Sequence, residues 1–305
     1  MKRKVIRQGH NTLTITLPAK WVEKNGIKAG EEVEIEEKGT SIVINSISST
    51  KDEKTTIDIS DFDVALAKVI YSLYKKGYDE IELHSTNPDL LNNVQKIILE
   101  IVVGFEVVSH SKHMCTIRSV VGMSREEFMP MMRRIFLHLH AMEEGIINSI
   151  TTKDVGSLQT FRQMESLNNR YTGFCRRMLN KFGIGEEKNG KMHYCLIEFL
   201  EKIADEYKFL CDYLLENPKE MSNVSKDSLN VLKRLSTFSR GIERLYYKFE
   251  VANYLEIYRE RKNIVKEINA AFPDAKRPNN VILHYCLCVV QFYIDIANFV
   301  LTMNL

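Results

Sequence analysis

Residues 7–21 read Arg-Gln-Gly-His-Asn-Thr-Leu-Thr-Ile-Thr-Leu-Pro-Ala-Lys-Trp, and this stretch decides how the chain begins to fold. Within it, polar and apolar residues alternate over residues 12–17, which is typical of a strand with one buried face. Pro18 stops the strand but suits the first turn of a helix, and Gly26 is the type of residue that ends one. The sequence therefore predicts a strand followed by a short helix over residues 19–25.

The next residues predict a hairpin. Residues 33–36 alternate again, Lys-Gly-Thr at residues 38–40 suits a turn, and residues 41–44 return as the partner strand. A β-rich unit of this size buries too little apolar surface to be stable alone, and dimerisation is the usual remedy. We predict a first domain over residues 1–50 that forms a homodimer.

Charge is strongly polarised within this first domain, although the whole chain has a formal net charge of only +2. The first 28 residues have a single acid, Glu23, whereas residues 29–37 contain five glutamates. Such a basic surface suits phosphate binding, because cations displace counterions from a duplex; a solvated basic strand without a partner is the alternative. The basic residues of the first 28 are Lys2, Arg3, Lys4, Arg7, Lys20, Lys24 and Lys28.

The stretch over residues 7–21, continued by Gly-Ile-Lys-Ala-Gly-Glu-Glu-Val at residues 26–33, resembles the SpoVT/AbrB-like swapped-hairpin DNA-binding domain. The shared features are a strand ending in Leu-Pro, a Trp three residues after that Pro, and a Gly-Ile-x-x-Gly-acidic-x-Val turn. The resemblance implies a β-barrel made from two interleaved chains. Antitoxins share this barrel, so a toxin-neutralising role stays open. The DNA-contacting residues that it implies are Arg3, Lys4, Arg7, Lys20 and, at a base edge or a phosphate, Asn11.

The rest of the chain predicts two further domains, so the fold class is multi-domain α+β. Residues 51–121 alternate strand and helix patterns, which indicates a small α/β domain with a mixed sheet. From Ser124, which forms a capping-box pattern with Glu127, the period is helical to the end of the chain. Three long helices and then three more indicate a duplicated three-helix bundle over residues 122–305, with repeats at about 124–216 and 225–305.

One helix of this bundle has a face suited to metal binding. Glu201 and Asp205 are four residues apart and share that face, and carboxylate oxygens are ligands for divalent cations. A solvated acidic face is the alternative. The three-plus-three plan and the run over residues 200–205 resemble the PhoU family of phosphate-uptake regulators, whose acidic motifs bind iron or zinc. The resemblance implies one divalent or iron/zinc-type site at Glu201, Asp205 and Glu165, because Asn169 replaces the second acid after Glu165.

A SpoVT/AbrB-like head before a PhoU-like tail resembles the arrangement of archaeal phosphate-uptake regulators. It predicts a transcriptional regulator that binds DNA as a homodimer, with a phosphate transporter or its signalling component as a further partner. Two alternatives are an interaction protein that acts on the transporter without DNA, and a metalloenzyme on the acidic helix faces. The sequence has no Walker A loop, no GxGxxG after a strand and no GxSxG elbow, so we expect no enzyme activity.

Two features bear on location. The six cysteines form no zinc-type pairs and sit in apolar helical patterns, which favours a reducing cytoplasm. Residues 281–305 are apolar and long enough to cross a bilayer, but they carry Asp295, and a charge at mid-membrane costs about 2.5–3.5 kcal/mol. We predict a buried last helix, no membrane insertion and a cytoplasmic protein.

Overall fold

The computed structural model describes residues 2–9, 12–46, 52–183 and 187–305. By the contacts between its Cα atoms, the chain divides into two compact units, Met1–Glu53 and Lys54–Leu305. The sequence places the end of the first domain near residue 50, and the contacts place it at residue 53.

The first unit contains short strands and one helix. Helix α1 begins after Pro18 and ends at Gly26, which has a φ of +65°. Strands β3 and β4 form the predicted hairpin, and Gly39, with a φ of +58°, supplies the left-handed conformation that its two-residue turn requires. The described elements are β1 (Ile6–Arg7), β2 (Leu13–Thr14), α1 (Ala19–Asn25), β3 (Val33–Lys38) and β4 (Ser41–Ser46).

The second unit begins with an α/β region that contains the predicted mixed sheet. The strand order is β5-β6-β8-β7, in which β5 and β6 are parallel and the other neighbours are antiparallel. Residues 88–101 form two helices, because the chain breaks at Asn93. The elements are β5 (Lys54–Asp58), α2 (Leu66–Lys76), β6 (Glu80–His84), α3 (Pro88–Asn92), α4 (Val94–Ile101), β7 (Phe105–His110) and β8 (Met114–Ser119).

Six long helices follow, in the predicted order of three and then three. The predicted capping box is present: the Ser124 side chain accepts a hydrogen bond from the backbone N–H of Glu126, and the Ser124 backbone N–H donates to Glu127 Oε2 at 3.2 Å. The helices are α5 (Phe128–Thr152), α6 (Val155–Phe182), α7 (Glu187–Glu216), α8 (Lys226–Tyr247), α9 (Val251–Ala271) and α10 (Asn279–Asn304). The multi-domain α+β fold class is confirmed.

These helices share one continuous apolar core. Helix α6 packs between α5 and α7, helix α10 packs against α8 and α9, and the two sets meet where α7 contacts α10 and α5 contacts α8. Gly145 allows the close approach of α5 and α6, since a Cβ at this position would lie 2.2 Å from a ring carbon of Phe161. Close packing of this kind is what sets helix register in a bundle.

The α/β region and the helices form one unit, although the sequence predicts a domain boundary at residue 121. The joint is Arg177 of α6, which is fully buried. Its guanidinium donates hydrogen bonds to the carbonyls of Tyr74 and Tyr78 at 3.0 and 2.6 Å and to Asp79 Oδ1 at 2.7 Å. This cation from the helical region therefore bonds the two regions together, although each region has an apolar cluster of its own.

Helix α10 is apolar and long enough to cross a membrane, and among the described residues it is the single helix with that length and composition. In the structure it is a central helix of the bundle: Val289, Tyr293 and Ala297 are fully buried. The Tyr293 hydroxyl donates a hydrogen bond to Glu143 Oε1 of α5 at 2.7 Å. A core helix can be as long and as apolar as a membrane span, so the length and composition of α10 are weak evidence for one.

Candidate nucleic-acid interface

Arg7, one of the predicted DNA-contacting residues, lies in a short antiparallel pair of strands. Ile6 pairs with Thr14 and Arg7 with Leu13. The Gln8 N–H donates to the Thr12 carbonyl at 2.9 Å. Of the alternating residues 12–17, Leu13 and Thr14 are the two that pair with another strand in the described chain, since β1 is two residues long. Asn11 lies outside the described residues, so its predicted contact stays a prediction.

Helix α1 places Lys20 close to these strands in the chain. Its first turn is closed by the Pro18 carbonyl, which accepts hydrogen bonds from the N–H groups of Trp21 and Val22 at 2.9 and 3.0 Å. Trp21 is half-buried, whereas Lys20 is exposed. The helix therefore turns its aromatic residue inward and its lysine toward solvent.

The predicted cations are free to meet a polyanion. Arg3, Lys4, Arg7 and Lys20 are all exposed. None of the four forms an ion pair with another residue in the described parts of the chain. A cationic side chain without a protein partner is available to neutralise a phosphate group and to release the counterions condensed on a duplex. Four such residues within 18 positions of sequence are suited to contacts with a nucleic-acid backbone.

The same unit exposes large apolar side chains. Leu13, Ile35 and Ile42 are 66%, 60% and 65% exposed, and Val5, Ile6 and Ile15 are each more than half exposed. A folded protein rarely leaves a group of this size in water, and each such side chain gains about 1.5–3 kcal/mol when it is fully buried. A second copy of the domain would cover apolar side chains of this kind, as the sequence-based prediction of a dimer requires.

The three residues of the predicted metal site lie on neighbouring helices but face cations of the protein. Lys208 Nζ is 3.0 Å from Glu165 Oε1 and 2.6 Å from Asp205 Oδ1. Glu201 forms an ion pair with the buried Arg176 and accepts a hydrogen bond from Thr172 at 2.6 Å. Ammonium and guanidinium groups take the places where a metal ion would bind, so this arrangement does not fit one. Among the described residues, no group of three or more His, Cys, Asp or Glu is placed to hold a metal ion.

A second polar site, not predicted from the sequence, is centred on Glu143 of α5. This carboxylate is 3% exposed and accepts hydrogen bonds from Tyr207 at 2.8 Å, Tyr293 at 2.7 Å and Ser239 at 2.6 Å. His140, one turn earlier, lies 3.5 Å from Glu143 through Nδ1. The donors come from α7, α10 and α8, so one buried charge ties four helices together.

His140 connects this buried site to the surface. Its Nε2 is 2.8 Å from Glu243 Oε2 on α8. Burial lowers the pKa of His140, but the carboxylates of Glu143 and Glu243 outweigh burial and raise it above the ordinary value. The sequence gives little sign of this site: His138 and His140 are two residues apart and therefore point to different faces of α5, so they make a poor metal pair.

Comparison with known proteins bears on the first unit. Residues 6–52 match the family model described as antidote-toxin recognition MazE, bacterial antitoxin. No curated protein and no solved structure is similar enough to this chain to give a match. The matched residues cover the strands, the helix and the hairpin of the first unit, so this part of the chain is similar to the MazE antitoxin domain.

This match agrees with the SpoVT/AbrB-like resemblance of the first unit and supports a regulator of the DNA-binding type. The match covers residues 6–52 of the 305 and does not extend to the α/β region or to the six long helices.

Proposed function

We propose that the chain is a transcriptional regulator that binds DNA as a homodimer through its first unit. The observation that carries the proposal is the combination of four exposed cations without protein partners, Arg3, Lys4, Arg7 and Lys20, with an uncovered apolar surface on the same unit. Two copies that bury their apolar residues against each other place two basic surfaces in one particle. Two-fold dimers of this kind contact two half-sites on a duplex.

In its finer form, the proposal makes the helical region a sensor that links DNA binding to phosphate uptake in the cytoplasm, without enzyme activity. The three-plus-three order of the helices supports it, since this is the plan on which the resemblance to PhoU rests. The related alternative is a protein that docks on a phosphate transporter or its signalling component and does not bind DNA.

The test is DNA binding by the full chain and by a triple variant, Arg3→Ala with Lys4→Ala and Arg7→Ala. Each phosphate contact contributes about 0.9 to the slope of log affinity against log salt concentration. We expect weaker binding to every duplex sequence and a smaller salt slope. The matched control replaces three exposed lysines of the second unit, Lys96, Lys112 and Lys233, by Ala, which changes the net charge equally.

Equal DNA affinity for the triple variant and the wild type would exclude this surface. A stable dimer without affinity for DNA at low salt would instead favour the interaction protein.

A second candidate function is neutralisation of a toxin, because the matched family model is described by antidote-toxin recognition. In that case the exposed apolar residues of the first unit would bind a second protein as well as a second copy. The DNA measurement separates this candidate too: an antitoxin that acts only by protein binding has no salt-dependent affinity for a duplex.

A further inference from the structure

An open groove separates α5 from α8 on the surface of the helical region. Its volume is about 610 Å³, enough for a small ion together with several water molecules. The polar groups in its walls are His140 and Glu144 of α5, and Arg240, Glu243, Arg244 and Tyr247 of α8. The positions on each helix are three or four residues apart, so each helix turns one polar face toward the groove.

Several hydrogen-bond donors in this groove have no acceptor. Arg240 donates to Glu144 through Nη2, but its Nη1 is shielded from solvent and has no partner among the described residues. The hydroxyl of Tyr247 is likewise shielded and has no acceptor in the described chain. Arg244 is exposed and forms no ion pair within that part of the chain. Leaving a buried donor such as Arg240 Nη1 without an acceptor costs about 1–3 kcal/mol, more for a charged group. An anion that moves aside the groups shielding this donor would recover that free energy, and the exposed Arg244 can donate to it directly.

The groove also contains acceptors. Glu243 accepts from His140, and Glu144 accepts from Arg240, yet a carboxylate has capacity for further donors. Two arginines therefore face two carboxylates in the groove, and His140 lies between Glu143 and Glu243, whose carboxylates raise its pKa. The bound anion must therefore accept hydrogen bonds from arginines and also donate one to a carboxylate.

We propose that the groove between α5 and α8 binds inorganic phosphate. Hydrogen phosphate carries oxygens that accept from Arg240, Arg244 and Tyr247, and it keeps a P–OH at neutral pH that can donate to Glu144 or Glu243. Sulfate and phosphate monoester dianions have a similar shape and charge but no hydroxyl to donate. Against them a carboxylate is a repulsive element, which is how a binding site gains selectivity.

This inference rests on the proposed phosphate-linked function and gives it a sensing site. An anion in the groove changes the field at the His140–Glu243 pair, and His140 lies against Glu143. Glu143 in turn accepts from side chains of α7, α8 and α10. Occupation of the groove would therefore act on the side chains that join these four helices. A ligand changes a conformation only when it binds two arrangements with different affinity, and these contacts are where two arrangements would differ.

The experiment is a calorimetric titration of the full chain with inorganic phosphate, at constant ionic strength and at pH 7.5. A charged hydrogen bond contributes about 1.5–3 kcal/mol, so Arg240→Gln and Arg244→Gln are each expected to weaken binding about tenfold or more. The matched control is Arg134→Gln on α5, which is exposed and outside the groove, and it should bind as the wild type does.

Selectivity gives the second readout. Sulfate and glycerol phosphate should bind at least about tenfold more weakly than phosphate, a difference of about 1.4 kcal/mol. Glu243→Gln should reduce that difference, because an amide can donate to sulfate. The inference is overturned by absence of phosphate binding, by equal binding of phosphate and sulfate, or by an equal loss in Arg134→Gln. DNA binding by the same preparation is measured in parallel, so that failure of the groove is distinguished from failure of the DNA-binding unit.

Discussion

The two units of this chain use the same residue types in opposite ways. In Met1–Glu53, Arg3, Lys4, Arg7 and Lys20 are exposed, and large apolar residues such as Ile42 face solvent. In Lys54–Leu305, Arg176 and Arg177 are 1% and 0% exposed, and each has carboxylate partners. A buried cation must be paired within the protein because its desolvation is costly, so it is committed to structure. An exposed cation without a partner is available for a ligand.

The largest expected effect comes from removing the buried cation of the second unit. Arg177→Leu leaves the buried Asp79 with one fewer cation and removes the guanidinium donor from the carbonyls of Tyr74 and Tyr78, of which Tyr74 keeps the N–H of Gly77. Breaking a buried ion pair by removal of one partner costs about 3–5 kcal/mol. We expect that loss in the free energy of unfolding, measured by circular dichroism of the helices during denaturation.

Trp21 gives the matching measurement on the first unit, since it is the only tryptophan of the chain. Its fluorescence transition should be unchanged in Arg177→Leu if the two units are independent. The control is Arg162→Leu, which removes a half-exposed pair with Asp212 and should cost less than about 1 kcal/mol. Equal losses in the two variants would contradict the structural role of Arg177.

A smaller loss is expected from a change in packing. At Gly145 a Cβ would lie 2.2 Å from the Phe161 ring, and overpacking of this kind costs about 1–3 kcal/mol. Gly241→Ala is the control in another helix, because its nearest neighbour is an ordinary 3.7 Å from the new Cβ; alanine should there stabilise the helix by up to about 1 kcal/mol. A stable Gly145→Ala protein would show that α5 and α6 can separate, and Phe161→Leu in the same chain should restore stability.

The comparison predicts a different response in the first unit. Ile42→Ser removes an apolar side chain that is 65% exposed in one chain and that we expect to be buried in a dimer. A burial of about 1.5–3 kcal/mol corresponds to a rise of about tenfold or more in the dissociation constant of the dimer. Sedimentation at several concentrations measures it. Val64→Ser, at a residue of the second unit that is 97% exposed, should leave the dimer unchanged; an equal effect there would remove the proposed interface.

The sequence predicts well what is local. Pro18 and Gly26 define helix α1, and Ser124 with Glu127 defines the start of the helical region, because caps and turns depend on a few neighbouring residues. The basic surface of the first unit could be predicted for the same reason, because the first 28 residues contain a single acid, Glu23.

The partners of buried charges could not be predicted. Glu143 and Tyr293 are 150 positions apart in sequence, and Arg177 and Asp79 are 98 apart. A helical pattern gives the face on which a residue lies but not which distant side chain meets it. This is why Glu165 and Asp205 suggested a metal site while Lys208, one turn beyond Asp205 on the same helix, supplies the cation between them.

The smallest expected effect is a dependence of stability on pH that differs between two histidines of the second unit. His140 has a raised pKa in the folded chain, so the stability it contributes is present below about pH 6.5, its unfolded value. That contribution is lost as the pH rises through the folded value. The pKa of His193 is lowered by burial, so its contribution is present above about pH 6.5 and is lost as the pH falls.

Denaturation of the wild type, His140→Asn and His193→Asn from pH 5.5 to 8.5 measures these two contributions. His140→Asn should remove the loss of stability on the alkaline side, and His193→Asn should reduce the loss on the acid side. An unchanged alkaline slope in His140→Asn would mean that the Glu143 and Glu243 carboxylates do not hold a proton on this imidazole. The groove would then hold two arginines against two carboxylates, and phosphate affinity should not fall as His140 titrates.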